Sequence, residues 1–389
     1  KGRIRVLVAR GDGSVVIDQT FDAVDRLDHV KQSATVLADY RYTGMGDRRV
    51  TKAHGDGTTL FLSHDGERRV TRHDARRNSD NLRVRGFEYA WDRENNRRYE
   101  QRLTVNTTTT EATGPGEFAF YDSVYRLGRF RRDVATGSLD SITNNATTVT
   151  EPTGVATAFT LDAAGNRLLV DKGSGSGTTN AVTVYSLFDG GSVKDKQVNQ
   201  YTATQTFGAD PVYMAYDETG NTYTNGTNRY FWDASDHLVQ VLTATDDVRY
   251  AYDALGRRIA KRSTNALFTT VLYWWDGWRT LEETDQAGSP NLLRRYVHGA
   301  GIDEPIRVTL QDVADVDNDA NTSEFVDLYY HDNSIGSVVA MTRSDGAVVE
   351  AYSYDAYGEV IEILNKSGSV VTETAVKQPF FFQGRRRDF

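Results

Sequence analysis

Carboxylates and histidines are the side chains in this sequence that could do chemistry, and one short run sets oxygen ligands at a meaningful spacing. In Asp312-Val313-Ala314-Asp315-Val316-Asp317-Asn318-Asp319-Ala320-Asn321, the residues Asp315, Asp317, Asp319 and Asn321 fall at positions 1, 3, 5 and 7 of a calcium loop. Carboxylates converging at that spacing repel one another unless a hard cation or water lies between them, so Ca2+ is the cofactor this run predicts. Two departures weaken it: Ala320 stands where the loop wants Gly, and Val326 stands where a bidentate Glu would close the shell. Glu324 or Asp327 could substitute along a different loop path, and the expected affinity is weak. The plain alternative is a hydrophilic insertion between Ile306-Arg307-Val308 and Leu328-Tyr329-Tyr330.

Elsewhere the chemistry is sparse. The seven histidines are His29, His54, His64, His73, His237, His298 and His331, and none has a partner at metal-ligand spacing. With no cysteine there is no thiolate site, and neither a Gly-x-Ser-x-Gly elbow nor a phosphate-binding glycine loop occurs. The 54 Asp and Glu residues are so many that carboxylate pairs must arise by chance. The expectation is therefore that no catalytic residue lies in this segment. A net charge of −9 argues against a general binder of nucleic-acid backbone, and the basic clusters Arg97-Arg98, Arg129 to Arg132 and Arg385 to Arg387 read as solvated strand faces.

What must position these residues is a repeat. The clearest copy is Tyr252-Asp253-Ala254-Leu255-Gly256-Arg257-Arg258; others are Tyr216-Asp217-Glu218-Thr219-Gly220-Asn221 and Tyr354-Asp355-Ala356-Tyr357-Gly358-Glu359. Leu161 to Arg167 keeps all but the aromatic, and degenerate copies stand at Trp91-Asp92, Tyr121-Asp122, Trp232-Asp233, Trp275-Asp276 and His331-Asp332. Before the Asp the residues alternate: Val248, Tyr250 and Tyr252 belong to one face of a strand, Arg249 and Ala251 to the other. The Asp accepts backbone N–H bonds, the Gly takes positive φ, and a second strand comes next, such as Arg258 to Arg262. Each copy is thus a β-hairpin, and His64 and His331, each directly before an Asp, read as substitutions of the repeat's aromatic. One hairpin cannot bury its own face, so the copies must pair edge to edge.

These phrases resemble the RHS/YD-repeat family, which includes bacterial polymorphic toxins, toxin-complex C components and teneurins. Val198-Asn199-Gln200-Tyr201-Thr202 resembles the family's lead-in to a Tyr-Asp repeat. His331-Asp332-Asn333-Ser334-Ile335-Gly336-Ser337-Val338 and Gln378-Pro379-Phe380-Phe381-Phe382-Gln383-Gly384-Arg385 resemble successive phrases of the RHS-associated core. The resemblance covers residues 40–389 and is thin before that. It implies an all-β fold in which YD-repeat hairpins join into one long spiralling sheet, forming a hollow shell or barrel-like cocoon. It also implies a non-catalytic carrier that encloses or displays a C-terminal toxin or effector. The family's self-cleavage segment comes after a phrase like the one ending at Arg385-Arg386-Arg387-Asp388-Phe389, so no catalytic residue carries over.

The organisation expected is a diverged N-terminal β segment (1–40), a repeat shell (41–310), an acidic loop (311–327) and an RHS-associated core segment (328–389). Six prolines leave no Pro-rich hinge, and no apolar run is long enough to span a membrane as a helix. The absence of cysteine favours export, and the chain begins Lys1-Gly2-Arg3 in mid-pattern, as an internal or processed fragment would. The expected location is secreted or at a bacterial cell surface, and the expected partner is an enclosed effector. The alternative is an extracellular structural or adhesive protein that self-associates or binds carbohydrate through exposed aromatic residues.

Overall fold

A computed structural model describes residues 3–10, 13–103, 113–134, 155–173, 181–187, 200–265, 269–285, 291–301, 303–312, 315–316, 321–322 and 324–387. Among these the fold is all-β, with a single three-residue 3-10 turn at Phe382–Gly384. Strands pair antiparallel with their sequence neighbours in two sheets, one of 16 strands ending at Val212–Tyr213 and one of 15 strands beginning at Ala215–Tyr216. The single ladder expected from the repeats is therefore divided at Met214, whose N–H donates to Thr202 O at 2.9 Å. Across that break the Tyr216 hydroxyl donates to Tyr201 O at 3.1 Å and accepts from Tyr201 N at 3.0 Å.

The repeat owes its shape to one carboxylate per hairpin. Asp253 Oδ1 accepts from Leu255 N at 2.9 Å and Arg257 N at 3.0 Å, while Oδ2 accepts from Arg257 Nε at 2.7 Å. Asp22, Asp65 and Asp122 repeat the arrangement with Arg26, Arg69 and Arg126, and Asp92 and Asp162 do so with Asn96 and Asn166. The fourth residue of each turn sits at positive φ, which Gly165, Gly220 and Gly256 take without steric cost. Asp25, Arg68, Asn95, Tyr125 and Asp236 adopt the same conformation without being Gly, which is why their copies look degenerate in the sequence. The turn at Asp22 is as regular as any, inside the stretch read from sequence as diverged.

Two sequence readings shift. At His331-Asp332 the turn acceptor is Asn333, whose Oδ1 accepts from Ile335 N and Ser337 N at 3.2 and 3.0 Å, so Asp332 is displaced from the turn role. At Trp275-Asp276 the hairpin closes by a tighter turn, Asp276 pairing with Arg279 and Gly277 at φ 56. Asn365 forms a further copy that the aromatic-Asp pattern does not reveal, accepting from Ser367 N and Ser369 N.

In several repeats the aromatic that ends the strand before the turn has its own task. Tyr42 OH donates to Leu27 O at 2.8 Å, Tyr121 OH to Arg97 O at 3.0 Å and Tyr252 OH to Leu238 O at 2.7 Å. Trp232 Nε1 does the same to Thr222 O at 2.9 Å, and Tyr354 OH to Val338 O. In every case the acceptor lies five residues after the turn carboxylate or amide of the preceding repeat. Each ring therefore ties its own hairpin to the bulged start of a strand in the one before, where the register shifts and a ladder bond is lost.

The chain forms two compact units. The first, residues 1–88, 102–113 and 271–389, is layered. Ile17, Leu27, Val30, Leu37, Ala38 and Tyr40 pack against Val297, Ile306 and Tyr329 of the second sheet, and Leu60, Ala75 and Val84 pack against Ala340 and Ala351. The opposite face of those C-terminal strands is covered by residues 374–387. Hence Val338–Arg343 and Val348–Tyr354 are buried nearly throughout and read as apolar runs. The second unit, residues 89–101 and 114–270, has a small core of Phe118 and Val134 with Tyr99 and Phe120 against it. There Asp247–Tyr252 alternates as expected, with Val248, Tyr250 and Tyr252 half-buried and Arg249 and Ala251 exposed.

Removing one hydroxyl tests the inter-repeat tie. Tyr252→Phe should lower stability by about 1 kcal/mol, and Tyr354→Phe by about 1–3 kcal/mol because its carbonyl partner Val338 is buried, in chemical denaturation of the chain.

Candidate functional site

Residues 374–387 form a strap over the C-terminal sheet, and its sequence is legible residue by residue. Phe380 packs edge-on against Tyr296 at 5.1 Å and against Tyr330 at 6.0 Å, and Phe381 meets Tyr352 at 5.1 Å. The strap folds on itself through Arg387 N to Pro379 O at 2.7 Å and Phe381 N to Arg385 O at 3.0 Å. It joins the sheet through Val338 N to Phe381 O at 3.0 Å and Gln383 N to Ser337 Oγ at 3.0 Å. Gln378 is wholly buried, its Oε1 accepting from Phe380 N at 2.7 Å. Gly384 lies at φ 65, where a Cβ would come within 2.3 Å of Asp303 O, so the close approach demands glycine.

Beneath the strap lie buried carboxylates. Glu283, 1% exposed, accepts from Arg294 Nη1 at 2.7 Å, Tyr296 OH at 2.6 Å and Arg386 of the strap. Burial alone would raise its pKa, but Arg386 and Arg294 outweigh that and hold it below the usual carboxylate range. Arg294 also donates to Lys377 O at 2.9 Å, and Arg386 lies 4.8 Å from the Tyr273 ring centre. Glu350 accepts from Tyr352 OH, Thr374 Oγ1 and Ala375 N, each at 2.6 Å. Beside the strap a pocket of about 420 Å³ is lined by Tyr357, Glu359, Phe382 and Arg385 to Arg387, among others.

On the other face, between the sheets, runs a second polar layer. Lys52, 1% exposed, meets Glu304 Oε1 at 3.1 Å, and Arg49 Nη1 meets the same oxygen at 3.0 Å. Tyr40 OH donates to it at 3.3 Å. Asp332, released from the turn, faces His73 Nε2 at 3.6 Å. Burial opposes its ionisation, but Lys52, His73 and Arg49 prevail and hold its carboxyl well below the usual range. Asp56 accepts from Thr58 N at 2.9 Å, Thr58 Oγ1 at 2.7 Å and Thr342 Oγ1. His331 Nε2 lies 2.8 Å from Thr342 Oγ1, and its ring stacks on His54 with centroids 4.8 Å apart. A Thr, a His and an Asp in contact suggest a nucleophile and base, but at 0, 3 and 3% exposure they are walled in by two sheets. Their bonds serve packing.

The predicted calcium ligands are only partly placed. Asp317 and Asp319 lie outside the described residues. Asp315 has φ 48 and its carbonyl accepts from Lys366 Nζ at 2.7 Å, and Asn321 is exposed. Asp312 is fully buried and accepts from Val316 N, a structural task within the loop. Among the described residues no group of three His, Asp or Glu side chains is arranged to hold a metal. What sequence reasoning missed is the buried layers: Lys52, Glu283, Glu304 and Glu350 carry no motif, and only the facing sheet shows their partners. One signal was available, the Glu350 that interrupts the largely apolar strand Val348–Tyr354.

Fold and site together define an antiparallel β-repeat protein whose hairpins are locked by turn carboxylates and whose C-terminal strands are sealed by a strap. In fold and in its repeat phrases the chain is similar to proteins of the RHS/YD-repeat family. It superposes on TcdB2-TccC3 without its hypervariable C-terminal region with a TM-score of 0.70 at 18% identity, over 96% of this chain and 18% of that one. A Photorhabdus luminescens Tc holotoxin pore gives 0.70 at 17% identity, over 98% of this chain and 18% of that one. In sequence, the chain is similar to the tRNA nuclease WapA of Bacillus subtilis (strain 168), 29% identical over 186 residues, 47% of this chain and 7% of the relative. It is also similar to the double-stranded DNA deaminase toxin A of Burkholderia cenocepacia (strain H111), 30% identical over 193 residues, 44% of this chain and 13% of the relative. The chain thus matches only a small part of each of these proteins. No protein-family profile matches it.

Two substitutable or titratable groups make these contacts testable. Arg386→Ala leaves Glu283 with Arg294 and Tyr296, so the sheet should persist while the strap loosens by about 1–3 kcal/mol; limited proteolysis should then cut first within 374–387. His298 is buried, its Nε2 donating to Thr280 O at 2.8 Å, and burial pushes it down to about 4 against the help of that bond. Its folded pKa lies below the unfolded value of about 6.5, so the unfolded chain takes the proton first as pH falls. Its contribution should be whole above pH 6.5 and fall by about 3 kcal/mol on the way down to pH 4, read from denaturation midpoints across that range.

Proposed function

We propose that this chain is a stretch of wall in a larger RHS/YD-repeat protein that encloses or carries a C-terminal effector for delivery outside the producing cell. The chemistry belongs to the effector; the repeats contribute containment. The observation that carries this reading is the superposition of 96% of the chain on TcdB2-TccC3 at a TM-score of 0.70. Two relatives, named as a nuclease and a deaminase toxin, match through less than half of this chain and through 7% and 13% of their own length. Such matches suit a common carrier segment joined to different effectors. The burial of Glu283, Lys52 and Asp56 with their partners supports the same reading, because none of them presents a charge to a substrate.

In this reading the strap has a mechanical role. The phrase from Gln378 to Arg385 pins the polypeptide to the sheet through aromatic contacts and the Glu283–Arg386 pair, so a segment C-terminal to it in the full protein would start from a fixed point. Export to the extracellular side accords with the cysteine-free sequence, and no helix among the described residues is long and apolar enough to cross a membrane.

The test is protection. In the intact native protein, any segment beyond the strap should resist protease while the repeats are folded and become cleavable once they are unfolded by denaturant. Equal cleavage of that segment in both states would overturn containment and favour a surface role.

A further inference from the structure

We propose that the His54–His331 pair is an acid-sensitive latch between the facing sheets of the first unit, closed while both imidazoles are neutral and released when both are protonated. The inference concerns this folded unit alone and holds whether or not an effector is enclosed.

The geometry sets a limit on charge. His54 ends the strand Arg49–His54 of the first sheet, and His331 lies on Phe325–Asp332 of the second. Their rings stack at 4.8 Å with an interplanar angle of 7°, so the pair spans the joint between the layers. His331 Nε2–H is satisfied by Thr342 Oγ1, whose own O–H donates a hydrogen bond to Asp56. His54 Nδ1 is buried with no hydrogen-bond partner, so a proton added there would meet no acceptor.

The surrounding groups decide what protonation does. From the first sheet come Arg49, Lys52, Asp56 and His73; from the second come Glu304, Asp332 and the uncharged Tyr329 and Thr342. Arg307 nearby is already matched by Asp327 at 2.9 Å. With imidazoles neutral, Arg49 and Lys52 against Asp56, Glu304 and Asp332 sum to 2 − 3 = −1. One proton on His331 is met by Asp56 at 3.7 Å and brings the sum to zero. Further protons on His73 and His54 leave an excess of two positive charges between the layers, one stacked directly on another imidazolium. Burial, then Lys52 and then His331 drive His54 well below its ordinary pKa.

An opened joint offers His54 water and its ordinary affinity for protons, so acid selects the open form. On the strap side Glu283 and Glu350 accept from arginine, tyrosine and threonine, while His298 lies alone against Phe380 and Tyr296 and is not stacked on a second imidazole among the described residues.

Hydrogen exchange of the intact chain tests it, with labelling times corrected for the intrinsic effect of pH. From pH 7.5 to pH 5, Arg49–His54 and Phe325–Asp332 should lose protection about tenfold more than the strap-covered strand Val348–Tyr354. His54→Phe keeps a ring over His331 and cannot take a proton, so it should abolish that excess. Should His54→Phe not fold at pH 7.5, His331→Gln, which keeps a donor for Thr342, gives the same reading. An acid response spread evenly over the first unit, or one unchanged in the folded variant, overturns the latch.

Discussion

Among the described residues the repeat depends on one carboxylate or amide accepting two backbone N–H groups at the turn of most repeat hairpins. A two-stranded hairpin alone is marginal in water, and a long meander multiplies that weakness at every turn. The side chain of Asp22, Asp65, Asp122, Asp253 or Asp355 fixes its turn locally, holding a bulge and a positive-φ residue without help from the core. The second oxygen recruits Arg, Asn or His at the fifth position, so the turn's charge is balanced in place. The aromatic before it then reaches to the bulged strand of the preceding repeat. Turn and tie together make each hairpin a template for the next, which lets sheets of 16 and 15 strands grow from short segments.

Growth in one dimension leaves faces to be covered, and the first unit covers both faces of its C-terminal strands with polar as well as apolar groups. Paired ions inside a protein are seldom a source of stability compared with apolar residues of the same size, because both charges leave water. What Lys52–Glu304 and Glu283–Arg294–Arg386 provide is registry: a sheet that slips by one residue would strand a charge in the interior. Gly299 shows how tight that registry is. A Cβ there would stand 2.6 Å from Glu304 Cδ and 2.7 Å from Tyr40 OH.

Much of this was legible in sequence, and the boundary has physical causes. Local devices are written locally: the alternation before Asp253, the Gly at 256 and the Arg at 257 each record a demand met within the hairpin. Copies at Asp92, Asp122 and Asp233 looked degenerate because Asn95, Tyr125 and Asp236 accept the conformation that Gly takes more easily. The frame slips at His331-Asp332, where an Asp comes after an aromatic-like residue yet Asn333 makes the turn, because Asp332 serves an ion cluster that only the opposite sheet completes. Non-local partners such as Lys52 with Glu304 leave no pattern in a single chain. The strap phrase is legible in sequence, but its work, holding Phe380 against Tyr296 and Tyr330, depends on the sheet. Asp317 and Asp319 of the expected calcium loop lie outside the described residues.

The proposed wall role is best judged by mechanics, since a sequence similar to parts of a nuclease and a deaminase toxin invites an enzymatic reading instead. The most direct measurement is electron microscopy of the intact native particle, imaged for shape and internal density. A closed, hollow body whose wall is built of these repeats, with density inside, is the predicted result. An open strip, or a polymer of copies joined end to end, would contradict containment and assign the repeats to a fibre or a surface layer.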